Sequence, residues 1–244
     1  MYNNLFSKDT ESFFRSPVRD IFKKVDLNSI YSFAGGYPST ETFPLDTFRE
    51  VMSEKRGQAF QYGATQGVTE LREALSQKYG IPVERIQITS SSQQGIDVCT
   101  RVLTDPGDVI LTSNPSYLGA LQSFSSYRAD IRGISYNPDP DAFRNSYRLA
   151  AEKVLSEGKR VKFLYMIPDF QNPSGETLTL EERMILVDIA KEYGFLIVED
   201  SPYRELRYEG KDIPTMYSLA PDIVLHLGSF SKIMAPGFRL GWIF

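Results

Sequence analysis

Residues 161–200 read VKFLYMIPDFQNPSGETLTLEERMILVDIAKEYGFLIVED, and the architecture of the chain can be argued from them. Val161 to Ile167 is nearly continuously apolar, as a strand buried on both faces would be. Thr179 with Glu182 is a capping-box signature ahead of a helix from Met184 to Tyr193. Gly194 stands where a left-handed helix cap belongs, and Phe195 to Val198 is the next strand. A strand, a helix and a second strand of these lengths make a crossover unit with two parallel strands and the helix laid over one face.

The same alternation extends outward. Upstream, Glu70 to Tyr79 carries Leu71, Ala74, Leu75 and Tyr79 at helical spacing, and Val83 to Thr89 reads as a short strand. Gln93 to Leu103 is a helix stopped by Asp105-Pro106-Gly107, and Asp108 to Thr112 is a β-branched strand. Tyr117 to Tyr127 and Ala129 to Tyr136 repeat the step, and a longer helix spans Pro140 to Ser156. Downstream, Ile223 to Leu227 is another strand and Leu240 to Phe244 enters one more. The expected fold class is α/β, a mostly parallel sheet with helices on both faces. Gly35-Gly36, Pro38 and Pro44 make Ser32 to Pro44 a loop, so residues 1–45 are expected to be an N-terminal arm and the start of a smaller domain, and 46–244 one large domain. Within the arm, Phe14, Val18, Ile21, Phe22 and Val25 share a helical stripe that is expected to pack on the protein's own body or on a partner subunit rather than on a membrane. Phe244 is apolar with no turn or polar tail after it, so a chain truncated at its C-terminus is expected.

Composition excludes several classes. The 27 basic and 31 acidic side chains leave a net charge of −4, without the basic field that nucleic-acid binding needs. No apolar run approaches the ~20 residues of a membrane span, and the Met1 end has no secretory block, so a cytoplasmic location is expected. One cysteine, Cys99, and one histidine, His226, make neither a disulfide nor a metal cage of ordinary spacing, and no metal is expected.

In open α/β sheets ligands bind beyond the carboxyl ends of the strands. The residues just after the apolar runs are unusually polar here. Ser90-Ser91-Ser92-Gln93-Gln94-Gly95 opens a helix whose free N–H groups and dipole suit an anion, although serine-rich helix starts are commonly just caps. Pro168-Asp169-Phe170-Gln171-Asn172-Pro173 presents an amide at the sheet edge or is an ordinary Asn-Pro turn. Glu199-Asp200 and then Tyr203 leave a buried strand together, and a buried carboxylate wants a cationic partner. After His226 comes Leu227-Gly228-Ser229-Phe230-Ser231-Lys232-Ile233-Met234-Ala235-Pro236-Gly237-Phe238-Arg239. A lysine among apolar and small residues is desolvated, which lowers its pKa and makes the neutral amine a nucleophile able to form a Schiff base. Ser229 and Arg239 bracket it with the two donors a phosphate would want.

In that order these motifs resemble the pyridoxal-phosphate-dependent aminotransferases of fold type I, class I/II, especially the branch of kynurenine and 2-aminoadipate aminotransferases. The likeness runs from Ser16-Pro17-Val18-Arg19 and Gly35-Gly36 through Tyr62-Gly63, Ser92-Gln93-Gln94-Gly95, Asn114-Pro115-Ser116-Tyr117, Asn172-Pro173-Ser174-Gly175 and Asp200-Ser201-Pro202-Tyr203 to Ser229-Phe230-Ser231-Lys232 and Arg239-Leu240-Gly241. The resemblance implies that Lys232 holds pyridoxal 5′-phosphate as a Schiff base and shuttles the substrate proton. It implies that Asp200 pairs with the pyridine nitrogen, that Asn172 and Tyr203 bond the phenolic oxygen, and that Tyr117 stacks on the ring. It assigns the phosphate to Ser92, Gln93, Ser229 and Arg239, with Tyr62 reaching in from the other subunit of a homodimer, and sets Gly36 and Asn172 against the substrate. The implied reaction moves an amino group from an L-amino acid to a 2-oxo acid. An elimination lyase on the same scaffold and a truncated, non-catalytic module are the competing readings. Ser91 stands where relatives usually have glycine, and the segment supplying an arginine for the substrate carboxylate lies beyond the match.

Overall fold

The computed structural model describes residues 5–7, 10, 30, 35–54 and 60–244. The amphipathic stripe from Phe14 to Val25 lies outside the described residues. The described helices are α1 (Leu45–Glu54), α2 (Thr69–Tyr79), α3 (Ser91–Leu103), α4 (Leu118–Ser126), α5 (Pro140–Ser156), α6 (Leu180–Tyr193) and α7 (Met216–Leu219). The strands are β1 (Gln87–Thr89), β2 (Val109–Asn114), β3 (Asp130–Ser135), β4 (Val161–Met166), β5 (Leu196–Asp200), β6 (Val224–Ser229) and β7 (Gly241–Ile243). They form one sheet in the order β1-β7-β6-β5-β4-β2-β3. Only β7 runs against the rest, lying antiparallel between β6 and β1. The mostly parallel α/β architecture is as the sequence implied.

Local chemistry sets the helix ends. Thr179 Oγ1 accepts from the Glu182 N–H at 3.2 Å while Glu182 Oε2 accepts from the Thr179 N–H at 2.7 Å, the capping box of α6. Gly194 closes that helix at φ 70°, which favours a residue without Cβ. Asp139 caps α5 by accepting from the Ala142 N–H at 2.8 Å, with Pro140 at the first helical position.

Alternation along the strands feeds two apolar layers. Leu164, Met166 and Ile197 pack with Phe143, Tyr147 and Ile185 on the α5–α6 face, while Phe163, Tyr165 and Val198 pack with Ile96 and Phe124 on the α3–α4 face. Each fully buried side chain of this size stabilises the fold by roughly 1.5–3 kcal/mol. No described helix is long and apolar enough to cross a membrane.

The strand expected at Val83 to Thr89 is shorter. Val83–Arg85 is a 3₁₀ turn, and only Gln87–Thr89 joins the sheet. Arg72 is the reason: its guanidinium donates to the carbonyls of Val83 (2.6 Å) and Ile86 (3.0 Å), turning the backbone of Val83–Ile86 toward α2. With β1 through β6 parallel, Thr89, Asn114, Ser135, Met166, Asp200 and Ser229 all end at one edge of the sheet.

Candidate active site

At the end of β5 two neighbouring carboxylates have opposite fates. Glu199, fully buried, accepts from the N–H groups of Met216 (3.1 Å) and Tyr217 (2.9 Å) at the start of α7, and its Oε2 lies 3.3 Å from His226 Nδ1. Burial alone would push its pKa up, but the His226 contact and the two backbone donors outweigh it and hold the group below the usual carboxylate range. Asp200 points to the other face. It is equally buried, and its Oδ2 accepts from the Tyr165 hydroxyl at 2.8 Å. Its Oδ1 is buried without a hydrogen-bond partner, and no cation pairs with it among the described residues. Burial pushes this carboxyl up to about 6, against the opposing pull of Tyr165, His226 and Ser92. A buried, half-satisfied carboxylate without a counter-ion is a place prepared for a cationic or N–H-bearing ligand atom.

Around it stand most of the residues chosen from sequence. Tyr203 accepts from Asn172 Nδ2 at 3.2 Å. Burial raises the Tyr203 phenol's pKa; Asn172 opposes this, while Asp200 and Tyr117 add to it. Lys232 Nζ sits 5.9 Å from the centre of the Tyr203 ring and donates to the Gly36 carbonyl at 2.5 Å. The amine is half-buried, and that desolvation lowers its pKa. The reach of Lys232 across to Gly36 spans 196 positions of sequence, which is what a loop beyond the sheet edge makes possible. Tyr117 donates to Gln93 Oε1 at 3.1 Å, tying the start of α4 to the start of α3.

Beside this cluster lies a cradle for an anion. The residue before α3, Ser90, makes no side-chain cap, so the serines here do not consume the first-turn N–H groups. Arg239 Nη2 donates to Ser91 Oγ at 2.5 Å. Ser229, buried at the end of β6, bonds the Ser231 hydroxyl at 2.8 Å and pairs in register with Gly241 of β7. Gly241 in turn packs on the Ser91 backbone, where a Cβ would come within 2.8 Å of Ser91 Cα. Ser92, Ser229 and Arg239 are therefore gathered around one uncapped helix N-terminus. Ser91 occupies a left-handed conformation, φ 61°, a region that glycine enters without strain. The Gln93 side chain is committed to Gly119, Ser123 and Tyr117, so what it has left for an anion is its backbone N–H.

One predicted residue stands apart. Tyr62 is fully exposed. Other residues were not anticipated. Tyr165 was read as part of an apolar strand, and its hydroxyl is the partner of Asp200. Asp169 is a fully buried carboxylate paired with Arg183 (2.8 Å), Arg207 (2.7 Å) and Arg204 (3.4 Å), which locks the loop carrying Asn172 to the segment carrying Tyr203. Gly119 has no room for a Cβ, which would lie 2.5 Å from Gln93 Oε1 and 2.6 Å from the Tyr117 hydroxyl. The signal for Tyr165 and Asp169 was present only as polar residues in or beside a buried strand.

Comparison with known proteins bears directly on this arrangement. Residues 32–244 match the family model described as aminotransferase class I and II. The chain is 41% identical to aromatic-amino-acid aminotransferase 1 of Thermococcus litoralis over 99% of its length and 60% of that protein's. It is 34% identical to the 2-aminoadipate transaminase of Thermus thermophilus, covering 99% of this chain and 61% of that one. Among solved structures it superposes with a TM-score of 0.88 on the kynurenine aminotransferase of Pyrococcus horikoshii, determined in complex with PMP (39% identity, 98% and 62% of the two chains). It also matches the Thermus thermophilus α-aminoadipate aminotransferase complexed with N-(5′-phosphopyridoxyl)-L-leucine, at TM-score 0.86 and 34% identity, covering 100% and 62%. The chain thus spans about 60% of the length of the curated relatives it matches. On the family match and these identities, the chain belongs to the class I and II aminotransferases.

Proposed function

We propose that this chain is the cofactor-binding part of a pyridoxal-phosphate-dependent aminotransferase that moves an amino group from an L-amino acid to a 2-oxo acid. The observation that carries the reading is Asp200: a fully buried carboxylate with one open oxygen, near Tyr203, which itself contacts Asn172 and lies 5.9 Å from Lys232 Nζ. The residues fit the cofactor. An open carboxylate oxygen suits a protonated ring nitrogen, the Asn172–Tyr203 pair suits a phenolic oxygen, and the uncapped start of α3 with Ser92, Gln93, Ser229 and Arg239 suits a phosphate. When bound, the cofactor supplies an electron sink for the charge left at the amino acid's α-carbon.

The chain's own residues do the rest. Asp200 would hold the ring nitrogen in its protonated form through the open Oδ1. Lys232 Nζ, whose neutral form is favoured by desolvation, would hold the cofactor's aldehyde and serve as the base that moves the substrate's α-proton. Tyr117 covers the ring. Gly36, whose carbonyl touches Lys232 Nζ, borders the substrate space together with Asn172.

The same proposal includes a homodimer, because the full exposure of Tyr62 suits a residue that completes the phosphate site of a second copy. It also includes a division at residue 45/46 between an N-terminal arm and a large domain, which agrees with every described strand lying after it. A cytoplasmic setting agrees with the single buried thiol. The test is covalent: full-length protein loaded with pyridoxal phosphate and reduced with borohydride should carry the pyridoxyl mass on the peptide containing Lys232. Modification elsewhere, or none, would overturn the assignment. Transfer to an added 2-oxo acid, measured against release of ammonia, separates amino transfer from elimination.

A further inference from the structure

Tyr165 is the fifth residue of β4 and is fully buried. It pairs in register with Val198, so its side chain leaves the sheet on the face shared by Val198 and Asp200. Its hydroxyl donates to Asp200 Oδ2 at 2.8 Å. A phenol fixed in an apolar layer holds a carboxylate more rigidly than a mobile water would. With Oδ2 taken, Oδ1 is the oxygen left without a partner.

We propose that Tyr165 is a positioning residue, whose hydroxyl fixes the Asp200 carboxylate through Oδ2 and leaves Oδ1 as the oxygen that serves the cofactor's ring nitrogen. The proposal rests on the cofactor reading above and extends it to a residue with no direct part in binding. The other polar or titratable groups facing Asp200 are His226 from β6, Ser92 and Cys99 from α3, and Tyr203 beyond β5, while Tyr117 at the start of α4 faces Tyr165 and Tyr203. His226 is engaged with Glu199. The Cys99 thiol is pushed up to about 12 by burial and by Asp200, and so carries no charge to compete. Burial drives the Asp200 carboxyl toward neutrality, and Tyr165 is the strongest of the influences that oppose it.

The experiment measures pyridoxal phosphate affinity from pH 5 to pH 9 in full-length wild type, Tyr165→Phe and Asp200→Ala. Titrations of the ligand itself are common to all three and cancel in the comparison. Loss of a hydrogen bond to a charged acceptor raises the Asp200 pKa, so the acid limb of binding should move about one pH unit toward neutrality in Tyr165→Phe. Above about pH 8, where Asp200 is ionised in both proteins, the difference in affinity should be smallest. Asp200→Ala should bind weakly throughout. An acid limb in Tyr165→Phe that coincides with wild type, while Asp200→Ala is weakened, would overturn the role of Tyr165 and leave the cofactor reading standing. Wild-type affinity in Asp200→Ala would remove the cofactor reading itself. If Tyr165→Phe does not fold, fluorotyrosine at position 165 is the substitute: its more acidic hydroxyl donates more strongly, so the limb should move toward acid, and an unmoved limb refutes the proposal.

Discussion

Replacing Asp169 with asparagine tests how the two loops of the site are held. Asp169 and Arg183 have side chains with no solvent exposure, and Arg204 and Arg207 are exposed by only 16% and 13%. The Arg183 guanidinium also donates to the carbonyls of Leu178, Pro168 and Pro214, so the carboxylate is what neutralises a cation otherwise surrounded by dipoles. Asp169→Asn keeps the shape, removes the charge and leaves three guanidiniums facing an amide. Breaking a buried pair from one side costs about 3–5 kcal/mol. A protein of this length has an unfolding entropy of roughly 0.5 kcal/mol per degree, so the melting temperature should fall by about 6–10 °C. Thermal unfolding by circular dichroism reads the effect, with Glu157→Gln, which breaks the exposed pair with Arg132, as a control expected to change little. A fall in Asp169→Asn of less than about 2 °C would show that the cluster is no more than a set of independent surface contacts, and the reasoning would fail.

Other expectations follow from the same site. Because the folded-state pKa of Asp200 is raised to about 6, folding without cofactor favours its protonated form, and the group costs stability at neutral pH. Cofactor-free Asp200→Asn should therefore be more stable than wild type by about 3 kcal/mol at pH 8, with the advantage shrinking as pH falls through 6 and gone below about pH 4; denaturant titration at several pH values decides it. Glu199 has the opposite sign: its lowered pKa contributes stability present above the ordinary carboxylate range and lost in acid, so Glu199→Gln should flatten the fall in stability below about pH 4. Gly241→Ala would place a Cβ 2.6 Å from the Gly228 carbonyl and 2.7 Å from the Ser91 carbonyl carbon. Since backbone cannot give way cheaply, a loss of about 1–3 kcal/mol and weaker phosphate-dependent cofactor binding are expected in urea unfolding and ligand titration. In Gly119→Ala the colliding atoms are the side-chain ends of Tyr117 and Gln93, so fold stability should change little while cofactor affinity drops.

How much was legible in the sequence depended on whether a feature is local. The capping box of Thr179 and Glu182 and the Gly194 terminus are settled within four residues, and they stand where the sequence put them. The buried strands β4 and β5 were readable because both faces need apolar side chains. The same double burial hid Tyr165, since a strand without polar alternation gives no sign of which side chain faces a carboxylate. Long-range partners were out of reach. Arg72 bends the segment before β1 from 14 positions away, and Asp169 finds Arg204 and Arg207 at separations of 35 and 38. The meeting of the candidate residues, in contrast, was legible because parallel strands send their carboxyl ends to one edge, so Asp200, Tyr203, Ser229 and the loop with Lys232 converge once the strands are found, whereas their proposed roles came from the family resemblance.

The insertion of β7 between β6 and β1 has a consequence for synthesis. Among the described residues β1 has no other neighbour in the sheet, and its partner residues emerge from the ribosome about 150 residues later. Until then α3 and its open N-terminus have only part of their final support, and Arg239 and Gly241, which pack against Ser91, have not been translated. The vectorial order of translation therefore makes the end of α3 proposed to receive the ligand among the last parts of this segment to mature, long after the β2–β4 layers can have packed.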